Sequence, residues 1–184
     1  MPDSQSSLLR FEMVDAQVLT PEQRQAIVRL CTEAYGEDFS RMFEMLPGSV
    51  HVLASLDDEL VGHACWVTRW LQAGERQPLR TAYVEAVAVA PAYQGRGWGK
   101  QVMRETAAAI VQHPEFELAA LSPSESAFYT PLGWESWRGP TAIRTEHSLI
   151  DTTGDDVMIL RLPTTPPLDL NERLSAEWRV GELW

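Results

Sequence analysis

The fold of this 184-residue chain is decided by residues 81–100, which read TAYVEAVAVAPAYQGRGWGK. Residues 82–90 are almost continuously apolar and predict a strand that is buried on both faces, interrupted by the carboxylate of Glu85. Pro91 ends this strand because it has no N–H group to give to a ladder. A glycine-rich turn follows, and apolar residues then recur at helical spacing, which predicts a helix over residues 97–112.

A strand, a glycine-rich turn and a helix in this order are typical of a phosphate site. Glycine lets the backbone approach an anion closely, and the free N–H groups at a helix start attract it. A dinucleotide fingerprint does not fit, because Lys100 stands where its third glycine should be. A Walker loop does not fit either, because Gln101 follows the Gly-Lys pair and Gln94 replaces the first glycine. A turn without any ligand remains the alternative.

Composition narrows the class of partner. The hydrophobic content of 45% indicates a globular protein, and we expect one domain over residues 1–184 with a mobile polar tail at 1–7. The formal charge of −11 argues against nucleic acid and favours a cationic ligand, although acidity could also serve solubility alone. Because no leader-like or membrane-spanning apolar run occurs, we expect a cytoplasmic protein without membrane contact.

Cysteine and histidine give no sign of a metal centre. Cys31 falls in a predicted helix and Cys65 in a predicted strand, and both are expected to be small core residues. The four histidines are scattered along the chain. We therefore predict no metal ion.

The remaining elements follow from periodicity and turn signals. Thr20-Pro21-Glu22-Gln23 predicts a helix start with a capping box. Asp57-Asp58-Glu59 predicts a hairpin turn. A proline-rich stretch at 163–169 is expected to lead rigidly into a C-terminal tail. The predicted strands are Leu8–Val14, Val50–Leu56, Leu60–Leu71, Phe116–Leu121, Trp134–Trp137, Thr141–Thr145 and Val157–Leu162, with short helices near 42–46 and 126–132.

Gln94, Gly97 and Gly99 form the pattern Gln-x-x-Gly-x-Gly directly after the buried strand. This resembles the GNAT superfamily of acetyl-CoA-dependent N-acetyltransferases. The resemblance implies an α/β (α+β) fold, with a mixed central β-sheet flanked by helices and with splayed central strands. It also implies acetyl-CoA as the cofactor and CoA as the product. The implied cofactor-binding residues are Val87, Val89, Gln94, Gly95, Arg96, Gly97, Trp98, Gly99, Lys100 and Ser122.

Two side chains are candidates for the chemistry of acetyl transfer. Glu85 is expected to share a strand face with Val87 and Val89 and to act as the base, unless it is merely a carboxylate hydrogen-bonded at a strand edge. Tyr129 lies in Ala127-Phe128-Tyr129-Thr130-Pro131-Leu132-Gly133-Trp134, which resembles the superfamily segment whose tyrosine protonates the leaving thiolate. The alternative for Tyr129 is an amphipathic core residue.

Further stretches are similar to the aminoglycoside 2'-N-acetyltransferases: residues 83–89, 120–122, 137–141 and the ending Trp178-Arg179-Val180-Gly181-Glu182-Leu183-Trp184. This resemblance implies a cationic aminoglycoside substrate, a homodimer, and a site closed by residues 163–184 and the carboxylate of Trp184. Asp155 and Asp156 could instead be turn residues, and Trp184 a hydrophobic plug. The implied substrate-binding residues are Asp38, Glu85, Ser122, Asp155, Asp156, Glu182 and Trp184.

The leading hypothesis is therefore direct acetylation of an aminoglycoside 2'-amine, of the 2-deoxystreptamine type or of kasugamycin. Direct attack is favoured because neither cysteine lies in the motif region as a nucleophile. A second hypothesis keeps the fold and takes another amine: a polyamine, a cell-wall amino sugar or a protein N-terminus. A third is a non-catalytic CoA-binding regulatory module.

Overall fold

The computed structural model describes residues 9–152, 154–181 and 183–184. The predicted tail at 1–7 and the candidate Glu182 lie outside these residues. The chain divides into two compact units. The first unit contains the residues up to Cys65 together with Ala86–Thr106, and the second contains Trp66–Glu85 together with Ala107–Trp184. The prediction of one domain stays a prediction.

The first unit is built on a hairpin and one long helix. Strand β1 (Arg10–Asp15) pairs antiparallel with β2 (Val50–Leu56), and β2 pairs with β3 (Glu59–Ala73), whose first half belongs to this unit. Asp57 and Asp58 both adopt positive φ in the turn between β2 and β3, where the sequence predicts a hairpin. The remaining elements are α1 (Pro21–Tyr35), α2 (Met42–Met45), the end of β4 (Leu79–Val89) and the first part of α3 (Trp98–Val111).

Helix α1 confirms its predicted start. The Thr20 hydroxyl accepts a hydrogen bond from the Gln23 amide at 3.2 Å, and the Gln23 side chain accepts one from the Thr20 amide at 3.0 Å. These reciprocal bonds satisfy two N–H groups that a helix start otherwise leaves unpaired. Ile27, Leu30 and Cys31 then face the core of the first unit.

The second unit is a mixed sheet with the strand order β6-β9-β5-β4-β3-β10-β7-β8. Strands β4 and β5 are parallel, and their ladder spans only Thr81–Tyr83 against Leu118–Ala120, after which β4 continues to Val89. The additional elements of this unit are β5 (Leu118–Leu121), α4 (Ser126–Tyr129), β6 (Glu135–Ser136), β7 (Thr141–Arg144), β8 (Leu149–Thr152), β9 (Met158–Arg161) and β10 (Leu174–Glu177).

Two of these strands were not expected from the sequence. The C-terminal segment was predicted as a tail, but Leu174–Glu177 forms β10 between β3 and β7, antiparallel to β3 and parallel to β7. Leu149–Thr152 forms β8 at the edge of the sheet. Each strand has four residues, too few for alternation to separate a strand from a loop, and their pairing partners lie elsewhere in the sequence.

No helix in the described part of the chain combines the length and the apolar character needed to cross a membrane.

Gly139 lies at a tight contact within the second unit. The amides of Arg138 and Gly139 both donate to the Leu170 carbonyl at 2.9 Å, and the Trp137 indole donates to the Glu172 carbonyl at 2.8 Å. A Cβ atom on Gly139 would come within 1.9 Å of the Glu172 carbonyl oxygen. Residue 139 must therefore lack a side chain for these two segments to meet.

We predict that Gly139→Ala lowers the free energy of unfolding by about 2–4 kcal/mol, because backbone on both sides must shift. Urea denaturation followed by circular dichroism measures this loss. Ser136→Ala, at an exposed position of β6, is the control and should change stability by less than about 0.5 kcal/mol. Equal stabilities for Gly139→Ala and wild type would show that the contact is not as tight as described.

Candidate active site

The glycine-rich turn of the first unit has the backbone that an anion site requires. Gly95 and Gly97 adopt φ values of 74° and 80°, in the left-handed region that favours glycine. A Cβ atom at either position would meet nothing within 4 Å, so conformation rather than crowding calls for glycine. Helix α3 begins at Trp98, directly after the turn, so its first N–H groups have no partner within the helix. The dipole of α3 adds positive potential there.

Aromatic residues and a cation border this turn. The rings of Tyr93 and Trp98 stack with centroids 5.0 Å apart and an interplanar angle of 16°. The Arg96 guanidinium lies 5.3 Å from the Tyr93 ring and 5.9 Å from the Trp98 ring. Lys100 is exposed on the first turn of α3. Two cations therefore accompany the backbone N–H groups, and the turn can bind a multiply charged phosphate.

The carbonyl oxygens at the end of β4 already hold hydrogen bonds. The Tyr35 hydroxyl donates to the Val87 carbonyl at 2.9 Å, and the side-chain Nε2 of Gln94 donates to the Val89 carbonyl at 3.0 Å. Gln94 therefore ties the start of the turn to the end of the strand. Since a carbonyl oxygen has two lone pairs, Val87 and Val89 can each accept one further bond from an added extended ligand.

Strand β4 is not regular at its carboxylate. Ala86 has a φ of 50°, a left-handed conformation that is uncommon for a residue with a side chain. Simple alternation is interrupted at this residue. The expectation that Glu85 shares a face with Val87 and Val89 assumed a regular strand through these residues. That assumption is wrong, because the backbone is left-handed at Ala86. Burial on both faces also holds only for the first part of β4, since Glu85, Ala86 and Val87 are half-buried.

A chain of buried polar side chains ends on this irregular residue. The Ser49 hydroxyl bonds to His51 Nε2 at 2.9 Å, His51 Nδ1 bonds to His63 Nε2 at 2.9 Å, and His63 Nδ1 bonds to the Ala86 carbonyl at 2.8 Å. Both histidines are fully buried. Burial lowers the pKa of His51 to about 3 and that of His63 to about 4, so both rings are neutral near pH 7. These three hydrogen bonds hold the backbone beside Glu85 in place.

The histidines are less scattered in the fold than in the sequence. Donor atoms of His51, His63 and Cys65 lie within 4.8 Å of one another, all buried. The scatter of histidines along the sequence is therefore no argument about metal binding. The facing nitrogens of the two rings are joined by a hydrogen bond, and that bond accounts for their proximity.

In the second unit, the carboxylate of Glu85 is paired with a cation. Arg179 Nη1 lies 2.6 Å from Glu85 Oε1, and the two side chains are only 17% and 16% exposed. The Arg179 guanidinium also lies 5.6 Å from the centroid of the Tyr83 ring. Tyr83 is buried, and its hydroxyl has no hydrogen-bond partner among the described residues. Burial and the neighbouring Glu85 raise the pKa of Tyr83.

Arg69 holds the C-terminal segment of the second unit. It is 1% exposed and donates to the Leu183 carbonyl at 2.6 Å and to the Glu177 carbonyl at 2.8 Å. Its Nε lies 3.5 Å from a carboxylate oxygen of Glu177, and its guanidinium lies 5.0 Å from the Tyr83 ring. Burial, followed by the charge of Arg179, lowers the pKa of Arg69.

The candidate acid is a largely buried tyrosine at the end of α4. Tyr129 is 7% exposed and packs edge to face against Phe128 and Trp134. Burial raises the pKa of Tyr129 to about 12. The phenol therefore keeps its proton at neutral pH, as a general acid must.

The other predicted residues fall into two groups. Ser122 is exposed and donates to the Asp156 carbonyl at 2.9 Å, so it lies beside the exposed pair Asp155 and Asp156 in the second unit. Asp38, in the first unit, accepts hydrogen bonds from the amide and hydroxyl of Ser40 at 2.8 Å and 2.9 Å, and these bonds lower the pKa of Asp38. The Asp38 arrangement has the form of an ordinary turn, whereas the Ser122 bond joins two segments that are 34 residues apart in the sequence.

Trp184 is anchored in the second unit by its side chain. The indole is 6% exposed, and its N–H donates to the Thr152 hydroxyl at 2.9 Å. Thr152 in turn donates to the Thr141 hydroxyl at 2.9 Å. A buried indole is compatible with the alternative of a hydrophobic plug. The role of the Trp184 carboxylate as a ligand stays a prediction.

Sequence reasoning missed Arg69, Tyr83, Arg179 and the two histidines. Arg179 stands in the ending that the resemblance singled out, but nothing local indicates its partner. The histidines had a usable signal: one lies on each strand of a hairpin that the sequence predicts. A buried polar residue on each of two paired strands suggests a hydrogen bond between them.

Comparison with known proteins agrees with the fold and the turn. Residues 15–137 match the family described as acetyltransferase (GNAT) domain. An aminoglycoside 2'-N-acetyltransferase of Mycolicibacterium fortuitum is 33% identical over 179 residues, covering 94% of this chain and 90% of that protein.

Solved structures show the same fold. A GNAT family N-acetyltransferase of Escherichia coli in complex with CoA has a TM-score of 0.62 at 15% identity, covering 94% of this chain and 91% of that one. A GNAT family acetyltransferase of Brucella melitensis in complex with acetyl-CoA has a TM-score of 0.58 at 16% identity, covering 93% and 97%.

This chain belongs to the GNAT family of acetyltransferases. The mixed α/β fold with flanking helices that the sequence predicted is confirmed. Within the family, its similarity to an aminoglycoside 2'-N-acetyltransferase extends over nearly the whole chain.

The neutral histidine pair predicts a loss of stability in mild acid. In the unfolded chain both histidines have a pKa near 6.5. In the folded chain the pKa is about 4 for His63 and about 3 for His51, so each ring is protonated only at lower pH. The stabilisation is therefore fully present above pH 6.5 and is lost as the pH falls through this window. Between pH 7 and pH 5, each histidine should contribute a loss of about 2 kcal/mol.

Urea unfolding at several pH values measures this slope in a range where carboxylates hardly titrate. His51→Gln and His63→Gln should each flatten the slope, whereas His147→Gln, at an exposed position, should leave it unchanged. A wild-type stability that is constant from pH 7 to pH 5 would contradict the described hydrogen bonds.

Proposed function

We propose that this protein transfers the acetyl group of acetyl-CoA to the 2'-amino group of an aminoglycoside. The observation that carries the proposal is the 33% identity with the Mycolicibacterium fortuitum enzyme over 94% of this chain. A net charge of −11 supports a polycationic substrate, because a negative surface concentrates cations.

Acetyl-CoA supplies an acetyl group activated as a thioester. The turn has features suited to hold its pyrophosphate: two left-handed glycines with open space, N–H groups at the start of α3 that have no partner within the helix, and the cations Arg96 and Lys100. The carbonyls of Val87 and Val89 are in place to pair with the extended pantetheine arm. Ser122, which follows β5, is the candidate neighbour of the thioester.

Two side chains of this chain then move protons. Glu85 takes a proton from the substrate ammonium, directly or through water, and leaves a neutral amine that can attack the thioester carbonyl carbon. As the C–N bond forms and the C–S bond breaks, Tyr129 gives its proton to the departing sulfur. The nitrogen loses its second proton as it becomes an amide, and this proton passes through solvent to restore the Tyr129 phenol. Burial raises the pKa of Tyr129 to about 12, so the phenol carries a proton at neutral pH.

Direct attack is preferred over an acetyl-enzyme. Cys31 and Cys65 are both buried in the core, and burial raises the pKa of the Cys31 thiol to about 12. A thiol with this pKa is almost entirely protonated at pH 7 and is a poor nucleophile.

A small panel of amines tests the proposal by the release of CoA from acetyl-CoA. Tobramycin and gentamicin carry a 2'-amine, kanamycin A has a hydroxyl group there, and kasugamycin carries a 2'-amine on a different skeleton. We expect turnover with tobramycin and none with kanamycin A at this position. Turnover with kasugamycin alone would keep the chemistry and change the substrate class, and turnover with spermidine alone would overturn the aminoglycoside assignment.

Substitutions at the two proton-carrying residues test the mechanism. We predict that Glu85→Gln lowers kcat by about 10²–10³-fold and Tyr129→Phe by about 10–10²-fold, while the Kd for acetyl-CoA changes less than twofold. Initial rates of CoA release give kcat, and isothermal titration calorimetry gives the Kd for acetyl-CoA. Glu12→Gln, exposed on β1, is the control. Full activity in Glu85→Gln would exclude this carboxylate as the base.

A further inference from the structure

Tyr83, Glu85 and Arg179 already form a complete cation site, and its cation belongs to the protein. The carboxylate of Glu85 holds the Arg179 guanidinium at 2.6 Å, and the ring of Tyr83 lies 5.6 Å from it. A carboxylate and an aromatic ring are also the groups that bind an ammonium ion. The group proposed to receive the substrate amine is thus occupied by a side chain of similar charge.

The two ends of this ion pair are held differently. Glu85 lies on β4 in the interior of the sheet. Arg179 follows β10 in a segment where Trp178 is 56% exposed, Val180 is 66% exposed and Gly181 has a φ of 91°. A released guanidinium would find water close by, whereas a half-buried Glu85 without a cation would carry an uncompensated charge. Replacing Arg179 by another cation at Glu85 therefore costs less free energy than leaving Glu85 without a cation.

Arg69 allows this exchange without loss of the segment. Its guanidinium donates to the carbonyls of Glu177 and Leu183, which lie before and after Arg179 in the sequence. The backbone is anchored at these two points, so the Arg179 side chain can leave Glu85 while the segment stays in place.

We propose that Arg179 is an internal stand-in for the substrate ammonium, which a cationic amine must displace from Glu85 before acetyl transfer. This inference rests on the proposed function, because it takes Glu85 as the group that meets the amine. A monoamine replaces one cation with another and gains little. Releasing Arg179 costs the same for every amine, and a polyamine offsets this cost with additional ion pairs to other carboxylates. Arg179 therefore sets an affinity threshold that a polycation passes more readily than a monoamine.

Steady-state kinetics with Arg179→Gln tests the inference. We expect the KM of the turned-over amine to fall roughly threefold to tenfold, with kcat changed less than twofold, because the competitor is removed. The factor should be similar for glucosamine, which has one amine, and for tobramycin, because both displace the same guanidinium. Arg179→Lys should retain most of the wild-type KM. Arg173→Gln, which removes an exposed pair with Asp151, is the matched control and should leave both constants unchanged.

A raised or unchanged KM in Arg179→Gln would overturn the inference and assign Arg179 a structural role. A measurement on the wild-type chain covers the case in which the variant does not fold. Nitrogen-15 NMR of the CoA-bound protein should show an Arg179 guanidinium with slow rotation, absent from Glu85→Gln. Saturation with the turned-over amine should convert this signal to fast rotation. A signal that stays slow at saturation would overturn the inference.

The two proposals fail separately. Absence of turnover with every amine of the panel counts against the proposed function. A turned-over amine that binds without releasing Arg179 counts against the inference alone.

Discussion

The backbone beside Glu85, the candidate base, depends on one conformation, the left-handed Ala86 within strand β4. A regular strand would continue the apolar pattern of residues 82–90 through the sheet. At Ala86 the regularity stops, directly after the only carboxylate of that stretch. A residue with a side chain in this conformation costs of order 1–3 kcal/mol and persists only when its surroundings impose it. The hydrogen bond from the buried His63 ring to the Ala86 carbonyl is such an imposed contact.

Charge in the second unit is arranged around the same strand. Two guanidinium groups, of Arg69 and Arg179, lie within 6 Å of the centroid of the Tyr83 ring, in a protein whose formal charge is −11. Arg69 is almost fully buried and makes its bonds to backbone carbonyls, so it serves as a structural anchor. Arg179 faces a carboxylate and is more exposed. Two arginines beside one ring thus have different physical roles.

The sequence was sufficient wherever the signal is local. The glycine turn before α3 and the capping box of α1 are set by backbone preferences of a few adjacent residues, and both lie where predicted. Strand β10 was missed because its four residues are stabilised by partners on β3 and β7, far away in the chain. The irregularity at Ala86 was missed because alanine carries no preference for a left-handed conformation. The pairing of Glu85 with Arg179 could not be read from the sequence either, since it depends on where the C-terminal segment returns to the sheet.

The open space at Gly95 and Gly97 has a consequence for how this turn can vary among descendants of the gene. Because no protein atom fills the position of a Cβ, folding of the turn restricts the backbone angle and not the volume, whereas the proposed pyrophosphate would also restrict the volume. Asparagine tolerates left-handed angles better than other residues with side chains. Asparagine is therefore the substitution at these two positions that costs the folded turn least. At Gly139, by contrast, any side chain would collide with the Glu172 carbonyl.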